Sequence, residues 1–284
     1  MGAPFELPSV LVERAVAVAI EEDLASGDVT TEACILPQAR AVAHAVARHA
    51  LVVCGGPVFF CVFAKIDSTL VVESHVAEGA RAHAGDRLWT VRGRARSILM
   101  GERVALNFVQ RMCGIASMTR AYVDAVPAGK TMRVTDTRKT TPGLRALERY
   151  AVRVGGGSNH RDNLGAAVLI KDNHIAACGG IAAAIARARA SASHTAKVEC
   201  EVDTLDQLEE ALVAGADIVL LDNMPTPMVI EAVARVRGRA FVETSGGIPL
   251  GRVVELANAG VDAVSIGALT HSAAAADVAI DFDP

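Results

Sequence analysis

Six short β-like runs recur through the second half of the chain, at 132–137, 167–170, 197–202, 217–221, 239–244 and 262–266. Each is followed by polar residues and, in most cases, by a helical pattern. Strand, loop and helix repeated in this way mean βαβ units and a parallel sheet. Right-handed crossovers then wind the sheet in one direction. A closed α/β barrel and a doubly wound open sheet both satisfy the repeat. The run Lys197-Val198-Glu199-Cys200-Glu201-Val202 favours the barrel. Period two puts Lys197, Glu199 and Glu201 on one face and the apolar residues on the other. A sheet covered by helices on both sides would be apolar on both. One charged and one apolar face suit a barrel with a polar interior, although an edge strand with a solvated face gives the same pattern.

The first half has a different rhythm. Residues 8–24 carry Val12, Ala15, Val16, Ala19 and Ile20 on one helical stripe, with a start signal at Pro8-Ser9. A polar stretch at 22–31, E-D-L-A-S-G-D-V-T-T, reads as a loop with an Asx-type turn. Residues 40–54, 71–77 and 87–94 read as strands, separated in part by turns at Gly79 and Gly85-Asp86. Helical patterns follow at 96–110 and, after Gly114, at 115–126. Arg103 and Asn107 share a face of the first of these, where a surface ion pair is the plain reading of Arg103. The run 50–64 is uncharged but too short to span a membrane and is broken by Gly-Gly-Pro, so it reads as strand end, turn and buried helix. This mixture of helices and antiparallel strands is an α+β pattern.

Charge narrows the function. The chain carries a net charge of −4, yet Arg133 to His174 holds eight Lys or Arg against four Asp or Glu. A local cationic island in an acidic protein suits a polyanionic small molecule better than nucleic acid. The six cysteines form no C-x-x-C pair and no zinc spacing, which points to free thiols in a reducing cytoplasm. No basic region followed by an apolar stretch opens the chain, so no signal peptide is expected.

The strand ends carry Arg138 and Lys139, then Lys171 and Asp172, Glu201, and Asp222 with Asn223. Ser245-Gly246-Gly247 and Gly267-Ala268-Leu269 follow. Barrel enzymes build their sites at this carboxyl end and hold phosphate in the last loops. Two glycine loops about twenty residues apart, each after a strand, fit that role. Arg138 and Arg161 can grip carboxylates with two hydrogen bonds, whereas Lys139 and Lys171 act as point charges. His160 could donate a hydrogen bond or be a satisfied structural histidine. Glu201 and Asp222 could hold a divalent cation through its waters, or take sugar hydroxyls. P-loop, dinucleotide, zincin and nucleophile-elbow motifs are absent. From the residues alone, the chain is an α/β-barrel enzyme for a substrate with phosphates and carboxylates. A Schiff-base aldolase or isomerase using Lys139 or Lys171, or a non-catalytic metabolite sensor, would share part of this pattern.

Several motifs are more specific. T-R-K-T-T-P-G-L-R (137–145), G-G-G-S-N-H-R (155–161), I-K-D-N-H (170–174) and L-L-D-N (220–223) resemble the quinolinate phosphoribosyltransferase family. G-E-R-V-A-L-N (101–107), S-G-G-I (245–248), S-I-G-A-L-T-H (265–271) and the polar stretch at 22–31 resemble the same family. The resemblance covers nearly the whole chain. It implies an N-terminal α/β sandwich over 1–112, completed by the tail 272–284, and an open, irregular α/β barrel of parallel strands over 113–271. It further implies a cytoplasmic homodimer with shared active sites, no nucleic-acid or membrane partner, and a Mg²⁺ requirement. The implied substrates are quinolinate and phosphoribosyl pyrophosphate. In that reading Arg103 reaches into the partner's site. Thr137, Arg138, Lys139, His160, Arg161 and Lys171 meet the substrates. Lys139, Glu201 and Asp222 are catalytic, and the two acids face the metal. Ser245, Gly246, Gly247, Gly267, Ala268, Leu269 and His271 surround the phosphate. A paralogue of the same fold using another pyridine or base is the nearest alternative.

Overall fold

The computed structural model describes residues 7–283. Helices α1 (Ser9–Leu24) and α2 (Val29–Cys34) lead into strands β1 (Arg40–Ala47) and β2 (Leu51–Val52). Helix α3 (Gly56–Ile66), strands β3 (Val71–Ser74), β4 (Arg81–Ala82) and β5 (Arg87–Arg94), and the long α4 (Ala95–Asp124) follow. Then come β6 (Arg133–Thr135), α5 (Arg145–Val154), β7 (Val168–Ile170), α6 (Asp172–Cys178), α7 (Ile181–Ser191) and β8 (Val198–Val202). The remaining elements are α8 (Leu205–Val213), β9 (Ile218–Asp222), α9 (Thr226–Val236), β10 (Phe241–Ser245), α10 (Val253–Ala259), β11 (Ala263–Ser265), α11 (Ala268–His271) and β12 (Val278–Phe282). The chain divides into two compact units, one built from the segments up to Arg120, Thr140–Gly156 and from Leu269 on, the other from Ala121–Lys139 and Gly157–Ala268.

The first unit holds an antiparallel sheet in the order β12-β1-β5-β3 and a separate β2-β4 pair. Its core stacks Trp89 of β5 on Phe59 of α3 at 4.8 Å between ring centroids, with Phe63 edge-on to Phe59 at 5.0 Å. Glu78 caps α3: its Oε1 accepts from the Gly56 amide at 2.6 Å and its Oε2 from Tyr150 Oη at 3.1 Å. Arg111 on α4 pairs with the buried Glu148 of α5 at 2.7 Å. Helix α4 corrects one expectation. Gly114 does not separate two helices but lies inside a single 30-residue helix. It is there for space, because a Cβ at this position would stand 2.0 Å from the carbonyl oxygen of Ala274. Two smaller corrections concern hidden local structure. Residues 29–31 are helical rather than loop, because Asp28 accepts from the Thr31 amide at 2.9 Å and caps α2. The expected strand 40–54 breaks into β1 and β2. Cys54, Cys113 and Cys200 are buried, Cys34 is exposed, and all six thiols are free.

The second unit is a six-stranded parallel sheet in the order β6-β11-β10-β9-β8-β7. Among the described residues, β6 and β7 do not pair with each other, so the barrel is open. Register sorts its faces. Glu199 lies beside Ile218, and Leu220 lies between Glu201 and Glu243. Asp222 lies beside Ser245. These residues share one face. The alternate residues Val198, Cys200, Val202, Val219, Leu221 and Val242 form the other face, and all are buried. Parallel pairing brings all six carboxyl ends to one rim. No helix among the described residues is long and apolar enough to cross a membrane.

Gly114→Ala is expected to lower unfolding free energy by roughly 1–3 kcal/mol, the usual cost of forcing extra volume into a packed contact. Urea denaturation checks this, and an unchanged midpoint would remove Gly114 from the packing argument.

Candidate active site

The rim of the second unit is built one strand at a time. The turn after β6 carries Thr137, Arg138 and Lys139, and Thr137 Oγ1 accepts from the Lys139 amide at 3.1 Å. Lys171 leaves β7 and caps α6, whose first turn also ties the Lys171 amide to His174 Nδ1 at 3.0 Å. Its ammonium donates to Glu201 Oε2 on β8 at 2.6 Å. Asp222 ends β9; its Oδ1 accepts from Ser245 Oγ at 2.5 Å and its Oδ2 from Asn223 Nδ2 at 2.7 Å. Gly246 and Gly247 follow Ser245, both at positive φ. A Cβ on Gly246 would lie 2.0 Å from Asn223 Oδ1, so this glycine lets two rim loops pack together. Gly267 and Ala268 follow β11 in the same unit. Arg103, Leu269 and His271 belong to the first unit, where Arg103 is exposed on α4, Leu269 is buried and His271 bonds Ser272 Oγ through Nδ1 at 2.6 Å.

Segment 157–167 brings in His160 and Arg161. The fully buried Asp136 holds its base, accepting from the His160 amide at 2.8 Å and from Asn159 Nδ2 at 2.6 Å. Arg161 donates to the Ala167 carbonyl at 3.1 Å. Burial, and then the neighbouring Arg138 charge, lower the Arg161 pKa. Two guanidinium groups close enough to feel each other's charge could take an anion between them.

Below them sits a cluster that sequence reading did not assemble. His160 Nε2 lies 3.3 Å from Glu199 Oε2 and 3.3 Å from Glu243 Oε1. Both glutamates are buried. Burial opposes charge on the ring, but the nearby carboxylates of Glu199 and then Glu243 outweigh it and push His160 up to about 10. The Arg161 amide, 2.7 Å from Nδ1, pulls the other way, since it needs the lone pair of a neutral ring. Burial also raises the Glu243 carboxyl, with His160 opposing that shift. The sign of Glu199 was visible in the alternation of β8. Its meeting with Glu243 across β9 needs the strand order, which no local pattern contains.

Two sets of residues could hold a cation. His160, Glu199 and Glu243 offer three ligand atoms within 4.8 Å of one another. Glu201 and Asp222 offer hard carboxylate oxygens at the open rim. Each keeps acceptor capacity beyond its Lys171, Ser245 and Asn223 contacts, so this second set fits an oxygen-loving divalent ion bound through water.

Fold and rim define a class: an α/β-barrel protein that gathers charged side chains at the carboxyl ends of its strands. Sequence comparison makes the class specific. The family model for the quinolinate phosphoribosyl transferase N-terminal domain matches residues 28–113, and that for the C-terminal domain matches 115–281. A nicotinate-nucleotide pyrophosphorylase [carboxylating] of Mycobacterium leprae is 43% identical over 273 residues, covering 93% of this chain and 94% of that relative. A probable nicotinate-nucleotide pyrophosphorylase [carboxylating] of Bacillus subtilis is 40% identical over 260 residues, covering 92% and 89%. The solved nicotinate-nucleotide pyrophosphorylase from Francisella tularensis superimposes with a TM-score of 0.93 at 36% identity, covering 98% of each chain. The chain belongs to the quinolinate phosphoribosyltransferase family.

The raised His160 pKa sets the sign of a pH effect. Its contribution to stability is complete below the ordinary value of 6.5 and is lost as pH rises through about 10. Glu243 shifts in the same sense. Thermal unfolding followed from pH 6 to 10 is expected to show this loss in the wild type and a flatter profile in His160→Gln. Parallel profiles would contradict the assignment.

Proposed function

We propose that this chain transfers the phosphoribosyl group of phosphoribosyl pyrophosphate to quinolinate with decarboxylation. The products are nicotinate mononucleotide, pyrophosphate and CO₂, a step of NAD biosynthesis. The observation that carries this reading is the convergence of Arg138, Arg161 and Lys171 with Glu201 and Asp222 on one barrel rim, in a chain that belongs to this family. Such a rim matches a substrate pair that is polyanionic overall but passes through a cationic ribosyl centre.

In this reading the cations divide the work. Arg138 and Arg161 take the carboxylates of quinolinate, with the His160 ring beneath Arg161 and Arg103 supplied by the partner subunit of a homodimer. Lys171, released from Glu201, joins them. Lys139 lies between the pyridine and the pyrophosphate. The loops at Ser245–Gly247 and Gly267–Leu269 hold the 5′-phosphate, with His271 close behind in the chain. Thr137 orders the turn that carries Arg138 and Lys139. Mg²⁺, held at Glu201 and Asp222 through water, would supply charge neutralisation for the departing pyrophosphate. The protein acts in the cytoplasm.

The chemistry then asks little beyond alignment and charge. The pyridine nitrogen attacks the anomeric carbon as the bond to pyrophosphate breaks. Glu201 and Asp222 face the positive charge that develops there. Holding both substrates in line removes most of the entropic barrier. The ring nitrogen is now quaternary. The bond from C2 to its carboxylate breaks, CO₂ leaves, and the electron pair stays on C2 beside the positive nitrogen. A proton from solvent completes the product, so no dedicated base is required.

Mass spectrometry with quinolinate, phosphoribosyl pyrophosphate and Mg²⁺, run beside nicotinate, tests the reading. Nicotinate mononucleotide from quinolinate only, with one CO₂ per turnover, is expected. No product from quinolinate would overturn it. Arg138→Ala and Lys171→Ala should each lose at least ~10²-fold in kcat/KM if preorganised charge carries the reaction; wild-type rates would refute those roles. Mixed dimers of Arg103→Ala and Lys171→Ala subunits should recover part of the lost activity, and no recovery would count against a shared site.

A further inference from the structure

We infer that Glu199 and Glu243 are positioning residues for the quinolinate cations, holding the His160 ring from inside the barrel so that Arg161 is presented at the rim. This rests on the proposed reaction and deepens it.

The chain of contacts is short. Glu199 and Glu243 come from β8 and β10, on either side of β9, and both side chains point into the barrel. Their oxygens meet His160 Nε2 at 3.3 Å from each side. His160 Nδ1 accepts the Arg161 amide at 2.7 Å. Asp136 fixes the same segment through the His160 amide and the Asn159 side chain. Three buried carboxylates from three strands or strand ends therefore hold the segment that carries His160 and Arg161.

Stability does not account for this arrangement. Apolar side chains would fill the same wall at less cost, as they do on the opposite face of β8, β9 and β10. Buried carboxylates are favourable only when well paired. Glu243 Oε1 is close to the ring but makes no well-aligned hydrogen bond. What the pair of glutamates provides is direction. The ring cannot rotate without leaving an acceptor, and the Arg161 backbone cannot shift without losing Nδ1. The Arg161 side chain is held by the Ala167 carbonyl at 3.1 Å and its backbone by the ring at 2.7 Å, so the ring sets where the guanidinium starts from.

Glu199→Gln and Glu243→Gln keep the shape of each side chain and remove its charge. Steady-state kinetics would be run on both with quinolinate and phosphoribosyl pyrophosphate varied separately, beside circular dichroism and thermal unfolding. A folded variant with KM for quinolinate raised at least about ten-fold, and KM for phosphoribosyl pyrophosphate within about two-fold of wild type, supports the inference. Glu243→Asp, which restores the charge, should recover most of the quinolinate KM. Folded variants with an unchanged quinolinate KM would overturn it. So would equal losses toward both substrates, or failure of both variants to fold, because the carboxylates would then serve the barrel as a whole. An inactive wild type would instead remove the underlying reaction.

Discussion

Glu199 and Glu243 face the inside of a parallel sheet, and His160 answers both from a separate segment. Much of the second unit follows from this constraint. Carboxylates on an inner wall must be met by cations or hydrogen-bond donors, because a bare buried charge is too costly. The cations come from the segments that leave or approach the strand ends. The wall thus draws segment 157–167 down onto the barrel, and Arg161 with it. Higher up the same wall, Glu201 draws in Lys171, and Asp222 draws in Ser245 and Asn223. The site is a layered arrangement, acidic within the barrel and mixed at its rim, where Glu201 and Asp222 stand among the cations.

That layering suits the proposed chemistry. A dicarboxylate and a pyrophosphate ester need positive charge to approach one another. The ribosyl centre, cationic at the moment of transfer, needs negative charge close by. Lys171 and Glu201 satisfy each other at 2.6 Å, so neither charge is left without a partner. In the proposed reaction a substrate anion would replace one partner of this existing pair.

The parallel half was legible because each strand is a compact apolar run closed by charge, and the alternation of Val198 to Val202 marks which face is polar. The rim residues could be named for the same reason, since each follows a strand end. Other features were hidden by physics that local patterns do not carry. Gly114 resembles a helix break in sequence, but its purpose is the close approach of the Ala274 carbonyl. Asp28 turns an apparent loop into the start of a helix through a single cap. The cluster of His160, Glu199 and Glu243 joins residues up to 83 positions apart, and the order β10-β9-β8 brings them together.

The central claim is that separate cations read both carboxylates of a pyridine dicarboxylate. Calorimetric titration with quinolinate, nicotinate and picolinate tests it most directly, since the latter two each keep only one of the carboxylates. The account predicts that quinolinate binds at least about ten-fold more tightly than either monoacid, the loss expected when a charged pairing is removed. Equal affinity for quinolinate and nicotinate would contradict it.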